Sequence, residues 1–287
     1  MDKNYKLALI GYPLGHSLSP VLYEAAFSNL NIKGSYELLP TQSEDLVNQI
    51  KYLKKNKYYG FNITIPHKVP TTLFLSKYDE FVNLTGAVNT IKIEEDLSLS
   101  GYNTDVWGFV EAIDKSIDLN NKKAAVIGTG GASRAVCAGL YKRGITKIDI
   151  YTRNIVNSKE TLELLRQRYP NIEFHSIQTS MMQELSDVSI LVNTTPVGMK
   201  NFAQNNCPVE DKWIKTLRSD AIIYDIVYNP LRTALISKAI KYNKRYITGL
   251  DMLIWQAIRA MEIWCGQKAD FKTLKIAALE KFLLYDF

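Results

Sequence analysis

A chain of 287 residues, 46% hydrophobic and 22% charged with a formal net charge of +6, is long for one core and comfortable for two α/β domains. Dispersed basic residues, no apolar run near the ~18 residues of a membrane span, and a leading apolar stretch (Leu7 to Gly11) too short for a signal peptide exclude membrane and nucleic-acid roles and predict a cytoplasmic location. Cys137, Cys207 and Cys265 are widely spaced, and His16, His67 and His175 lack ligand spacing, so neither a disulfide frame nor a metal site is expected.

In chain order, Tyr5 to Gly11 reads as a strand and Pro20 to Leu30 as a helix, with Ser19 as its cap and Pro20 at its first position. Gly34 to Leu39 is a strand, Ser43 to Lys55 a helix capped by Ser43, and Tyr59 to Ile65 a strand. His67 to Tyr78 is predicted helical, with Pro70 limiting its first turn. Ala87 to Ile93 and Leu97 to Tyr102 make a hairpin over residues 94–96, and Asp105 opens a helix to Ile117. From Lys123 a second run begins: strand Ala124 to Ile127, a glycine turn, a helix to about Arg143, strand Lys147 to Tyr151 and helix Val156 to Arg168. Strands Ser189 to Asn193 and Ala221 to Tyr224, helix Leu231 to Tyr242 and strand Arg245 to Ile247 complete it.

This alternation predicts an α/β protein of two domains. An N-terminal α/β substrate domain, 1–104, is completed by C-terminal helices in 250–287, which have no strand of their own to cover. Residues 105–249 form a Rossmann-type, doubly wound parallel-sheet cofactor domain.

Gly128-Thr129-Gly130-Gly131-Ala132-Ser133 follows a strand and opens a helix, as a dinucleotide turn does. Gly128 permits the tight turn, Gly130 lets the backbone approach a pyrophosphate, and Ser133 takes the third, small position. The next strand ends in Thr152-Arg153-Asn154 where an NAD site would carry an acid; Asp149 comes two residues too early. A guanidinium there suits the 2′-phosphate of NADP. Elsewhere single residues are ambiguous. Ser17 and Ser19 could bind a carboxylate or simply cap a helix, Lys68 alone reads as surface decoration, and Asp105 as a cap. Asn89, Tyr228 and Gln256 are equally ordinary one by one.

Taken together, eight strings resemble the shikimate dehydrogenase family from end to end: GYPLGHSLSP (11–20), GFNITIPHK (60–68), GAVNTI (86–91), GYNTD (101–105), GTGGASRA (128–135), NTTPVGM (193–199), DIVYNP (225–230) and GLDMLIWQA (249–257). The resemblance implies NADP-dependent reduction of 3-dehydroshikimate, with Lys68 and Asp105 as the proton-transfer pair. It implies that Ser17 and Ser19 hold the substrate carboxylate, that Thr64, Asn89 and Gln256 hold ring hydroxyls, and that Tyr228 closes over the substrate. It assigns Gly128, Thr129, Gly130, Gly131 and Ala132 to the pyrophosphate, Thr152, Arg153 and Asn154 to the adenosine phosphate, and Ile226 and Gly249 to the nicotinamide side. The expected partners are small molecules, for a monomer or homodimer.

Two positions depart from the family pattern. Asp251 stands where an uncharged residue is usual, either perturbing the cofactor or capping its helix. Asn157 stands where a basic residue often follows, with Lys159 two positions on. The second departure keeps open a quinate/shikimate dehydrogenase accepting NAD. A non-catalytic regulator that keeps the fold is a third reading, and the retained Lys68 and Asp105 count against it.

Overall fold

The computed structural model describes residues 4–15 and 17–285, with only the backbone of Asn157 and Tyr285; His16 and the end of the helix expected to reach Phe287 lie outside the described residues. The chain divides into two compact units, Met1–Gly108 with Ile254–Phe287, and Phe109–Leu253. No helix of the described residues is long and apolar enough to cross a membrane.

The first unit carries β1 (Tyr5–Gly11), α1 (Ser19–Leu30), β2 (Gly34–Pro40), α2 (Leu46–Lys55), β3 (Gly60–Ile63), β4 (Lys77–Tyr78), α3 (Glu80–Thr85), β5 (Thr90–Ile93) and β6 (Leu99–Tyr102). Its sheet order is β2-β1-β3-β5-β6-β4. β1 runs parallel to β2 and β3, whereas β5 is antiparallel to both β3 and β6. The C-terminal ends of β1, β3 and β6 and the N-terminal end of β5 therefore share one edge of the sheet.

Helix α4 (Thr104–Ala112) crosses the boundary at residue 108. The second unit continues with β7 (Lys123–Ile127), α5 (Gly131–Lys142), β8 (Lys147–Thr152), α6 (Ile155–Arg168), β9 (Glu173–Gln178), β10 (Val188–Asn193), α7 (Asp211–Thr216), β11 (Ile222–Asp225), α8 (Ala234–Lys241) and β12 (Arg245–Thr248). All its strands are parallel, in the order β12-β11-β10-β7-β8-β9. That is the Rossmann order, with its switch point between β7 and β10, and both central strands are buried on two faces, hence their apolar runs.

Two helices follow, α9 (Gly249–Cys265) and α10 (Phe271–Tyr285). α9 seats Trp264 in the first unit: the buried indole donates Nε1–H to Ile91 O at 2.9 Å and lies against the Tyr23 ring. Gly60 makes room for it, since a β-carbon there would fall 2.2 Å from Trp264 Nε1 and 2.5 Å from Ile91 O.

Several local expectations are corrected. Residues 67–78 form one 3₁₀ turn, Pro70–Phe74, and the short β4, not a helix. Pro66 and Pro70 both lack an N–H, and a Pro70 ring inside a helix would strike the carbonyl four residues back. The expected cap Ser43 instead starts a 3₁₀ turn, Ser43–Asp45, that leads into α2. Ser19 lies inside the first turn of α1, and it is Ser17 Oγ that accepts from Ser19 N, at 3.2 Å. Asp105 does not cap α4; Asn103 Oδ1 does, accepting from Val106 N at 3.4 Å. That helix ends at Ala112, and the carbonyls of Ile113, Asp114 and Ile117 turn instead to the Arg143 guanidinium. The helix expected from Leu231 begins at Ala234 because Thr233 caps it, its hydroxyl accepting from Ile236 N.

Candidate active site

Three stretches distant in sequence meet at the shared edge of the first sheet. Lys68 follows β3, Asn89 precedes β5, and Asp105 sits in the first turn of α4 after β6. Lys68 Nζ lies 2.6 Å from Asp105 Oδ2, with side chains 28% and 18% exposed. The pair is thus partly shielded from water yet open to a small molecule. The other oxygen, Asp105 Oδ1, accepts from Asn89 Nδ2 at 2.8 Å. Asn89 is itself held: its Oδ1 accepts from Thr104 N at 2.7 Å, and its Nδ2 also reaches Thr104 Oγ1 at 3.0 Å. Thr104 Oγ1 lies 3.4 Å from Gln256 Oε1 on α9.

Ser17 and Ser19 stand at the start of α1, after β1, and half-buried Thr64 follows β3. Thus Ser17, Ser19, Thr64, Lys68, Asn89, Asp105 and Gln256 all belong to the first unit. Tyr228 does not; it follows β11 in the second unit, where burial pushes its phenol up.

In the second unit a cavity of about 800 Å³ opens beyond the ends of β7, β8 and β10. Gly128, Thr129, Gly130, Thr152, Arg153 and Asn154 line it; Gly131, Ala132, Ile226 and Gly249 do not. Gly128 has φ 106, and a β-carbon there would fall 2.8 Å from Thr194 Oγ1. No side chain caps α5, and β-carbons built on Gly130 and Gly131 meet nothing within 4 Å. The helix start is therefore open to an anion. Ser133 is fully buried, as the close helix–strand packing requires. Thr152 and Asn154 shape the turn: Asn154 N donates to Thr152 Oγ1, and Asn154 Oδ1 accepts from Val156 N at 2.9 Å. Arg153 is exposed beside them. Asp149 is taken up by an ion pair with Lys123 at 2.8 Å and a hydrogen bond with His175 at 3.0 Å. Gly249 opens α9 packed against the Ile226 backbone. Asp251, one of the two departures, accepts from Thr248 Oγ1 at 3.2 Å in the first turn of that helix.

The family described as the Shikimate dehydrogenase substrate binding domain matches residues 9–91, and the Shikimate 5'-dehydrogenase C-terminal domain matches 249–278. A shikimate dehydrogenase (NADP(+)) of Nitrosopumilus maritimus is 37% identical over 277 residues, covering 96% of this chain and 98% of the relative. The chain belongs to the shikimate dehydrogenase family. Among solved structures, a shikimate dehydrogenase in complex with NADP+ aligns with a TM-score of 0.88 at 33% identity, over 97% of this chain and 96% of that one. The Thermus thermophilus shikimate 5-dehydrogenase in complex with NADP(H) and shikimate aligns with a TM-score of 0.83 at 29% identity, over 96% and 99%.

Within this family frame, three residues beyond those singled out from sequence hold the site together. His67 is buried and its Nε2 meets Thr41 O at 2.8 Å; a carbonyl only accepts, so the proton is on Nε2. It anchors the turn that carries Lys68, whose carbonyl also accepts from Val88 N at 2.8 Å. Tyr36 donates to Asn62 Oδ1 at 2.7 Å beneath the serines. In the second unit Asp225 accepts from Asn193 Nδ2 at 2.9 Å, Val227 N at 3.1 Å and Thr233 Oγ1 at 2.6 Å. Asn193 in turn accepts from Thr195, so a buried carboxylate fixes a loop that lines the cavity. His67 and Asp225 lie inside quoted strings (60–68 and 225–230), whereas Tyr36 lies in none and nothing in the sequence marked it.

Proposed function

We propose that this chain catalyses the reversible NADP-dependent reduction of 3-dehydroshikimate to shikimate, in the cytoplasm, on the route to chorismate and the aromatic amino acids. The observation that carries the reading is the Lys68–Asp105 pair at 2.6 Å with Asn89 on the second carboxylate oxygen. The first unit takes the substrate and the second the cofactor. Ser17 and Ser19 hold the carboxylate by hydroxyl donors at the start of α1. Thr64, Asn89 and Gln256 receive ring hydroxyls, and Tyr228 is a further hydroxyl for the substrate.

The second unit suits a phosphorylated dinucleotide. The uncapped start of α5 and the open glycines 130 and 131 leave room for a pyrophosphate, with Gly128, Thr129 and Ala132 completing that turn. Arg153, between Thr152 and Asn154, offers a planar cation to a 2′-phosphate, and Asp149, the acid of the strand that precedes it, is committed elsewhere. Ile226 and Gly249 belong to the nicotinamide side. When bound, NADPH supplies the hydride that adds to C3 of the substrate.

Negative charge then develops on the former carbonyl oxygen. The Lys68 ammonium stabilises it and delivers a proton to it. Asp105 restrains that ammonium in one orientation through the Lys68–Asp105 hydrogen bond, and the amine left after the transfer takes its next proton from water. Partial burial strengthens both interactions relative to water.

Turnover of the purified chain with 3-dehydroshikimate, in NADPH and separately in NADH, tests the reading. Lys68→Ala is expected to keep cofactor affinity and to lose roughly 10²–10⁴ in kcat, the worth of a positioned proton donor. A loss under about threefold would remove Lys68 from the chemistry. Preference for NADH and quinate would favour the quinate/shikimate alternative, and tight ligand binding without turnover the regulator.

A further inference from the structure

A buried polar chain runs beneath the Lys68–Asp105 pair, and its hydrogen-bond directions follow from two backbone groups. The Thr104 N–H can only donate, so the Asn89 atom 2.7 Å away is its oxygen. The Asn89 NH₂ is then turned to Asp105 Oδ1. The Asn89 carbonyl can only accept, so the Asn62 atom 3.2 Å from it is Nδ2. The same Nδ2 donates to Thr90 Oγ1 at 2.9 Å, and Asn62 Oδ1 is left to accept from Tyr36 OH. Burial holds the Tyr36 phenol well above its ordinary range, so it remains a donor.

Thr90 is the hub of this chain. It is wholly buried in β5, between Asn62 of β3 and Tyr102 of β6. Having received the Asn62 proton, its hydroxyl has one proton to give. Asn89 Oδ1 lies 3.2 Å away and Thr104 Oγ1 3.1 Å away. Both recipients touch the amide that faces Asp105.

We propose that Thr90 is a positioning residue of the reaction: alongside the Thr104 N–H, its hydroxyl ties Asn89 to Asn62 and holds the Asn89 NH₂ toward Asp105, so that Asp105 presents its other oxygen to Lys68. The proposal rests on the dehydrogenase reading given above. A reversed Asn89 amide would set its oxygen against the carboxylate, acceptor facing acceptor, and leave Lys68 with a displaced partner. A valine methyl in place of the hydroxyl would abut three polar atoms that now lie within 3.2 Å, spreading Asn62, Asn89 and Thr104 apart.

Two substitutions separate the hydroxyl from the methyl. Thr90→Val keeps volume and β-branching but removes the hydroxyl; Thr90→Ser keeps the hydroxyl but removes the buried methyl. For a positioning role, Thr90→Val loses about 10- to 100-fold in kcat with unchanged NADPH affinity, while Thr90→Ser stays within about threefold although it melts lower. If Thr90 merely packs, the order reverses, and kcat follows the melting temperature. Thr90→Val within about twofold of the parent, or Thr90→Ser falling as far as Thr90→Val, overturns the proposal. A readout independent of turnover is the ¹H–¹⁵N signal of the Asn89 side-chain amide, assigned through Asn89→Ser. It should shift and exchange faster with water in Thr90→Val, but not in Thr90→Ser. Should the parent chain prove inactive on 3-dehydroshikimate, the functional reading fails, and this signal still decides the proposal: no change in Thr90→Val overturns it.

Discussion

Asp225→Asn should stabilise the second unit at neutral pH, although it removes a residue with three hydrogen bonds. The Asp225 carboxyl is fully buried, and burial pushes it from the usual 3.8 up to about 6, against the opposing hydrogen bonds from Thr233, Val227 and Asn193. A folded-state value above the unfolded one means that the folded protein binds the extra proton between these limits. Stability is therefore reduced above pH 6 and recovers as pH falls from about 6 to about 4. Two units at 1.36 kcal/mol each give a penalty of about 3 kcal/mol at neutral pH. Asparagine is uncharged throughout. It keeps an oxygen for Asn193 Nδ2 and Val227 N and costs only the Thr233 bond, about 1 kcal/mol. The variant should thus be about 2 kcal/mol more stable near pH 8, roughly 4–8 °C in melting temperature for a unit of this size, with the gain gone near pH 4.5. Urea unfolding followed at Trp213, which lies in the second unit while Trp107, Trp255 and Trp264 lie in the first, reads the effect. A difference between variant and parent that is the same at both pH values would refute the reasoning.

Arg153→Ala should weaken NADPH binding roughly 10- to 150-fold, the loss of one charge-assisted contact of about 1.5–3 kcal/mol, and leave NADH nearly unchanged. Fluorescence titration with each cofactor, at low and high salt, checks this; equal losses for both would make Arg153 a loop residue rather than a phosphate reader. Gly60→Ala should destabilise the first unit by about 3 kcal/mol or more, because its β-carbon displaces the Trp264 indole from Ile91 O. A thermal melt within about 1 °C of the parent would show that α9 accommodates the methyl.

The second unit was largely legible because strand and helix alternate with clean punctuation, and the glycine turn falls between β7 and α5 at the switch point. The first unit was less so. Residues 67–78 have apolar residues at helical intervals, but Pro70 among them lacks an N–H and its ring opposes a continuous helix. The nearby α3 is short, and its signals are local: Asp79 accepts from Val82 N at 2.8 Å, and Gly86 closes it at φ 65. By residue type Ser43 and Asp105 read as caps, yet Asn103 wins at α4 because it lies one residue before the helix. At β8, counting two residues back from the strand end set Asp149 aside, and the structure adds the reason: Lys123 and His175 occupy both of its oxygens.

The candidate site itself could not be read from spacing. Lys68 and Asp105 stand 37 positions apart, and only strand order turns that separation into contact. β3, β5 and β6 are neighbours with β5 reversed, so the loop leaving β3, the residue entering β5 and the helix leaving β6 all emerge at one edge. Register does the rest. Asn62 pairs with Thr90 and Thr90 with Tyr102, so Asn89 and Asn103 stand one step beyond each pairing, and Asp105 enters α4 at the height of Asn89. A slip of one residue between β3 and β5 would turn Thr90 to the opposite face from Asn62, carrying away the hydroxyl that Asn62 now reaches. The hydrogen bonds of Asn62, Thr90 and Thr104 lie across these two pairings and oppose such a slip. The same side chains therefore fix the register of the sheet and the orientation of Asn89 toward Asp105, which is why polar residues occupy the buried end of this hairpin.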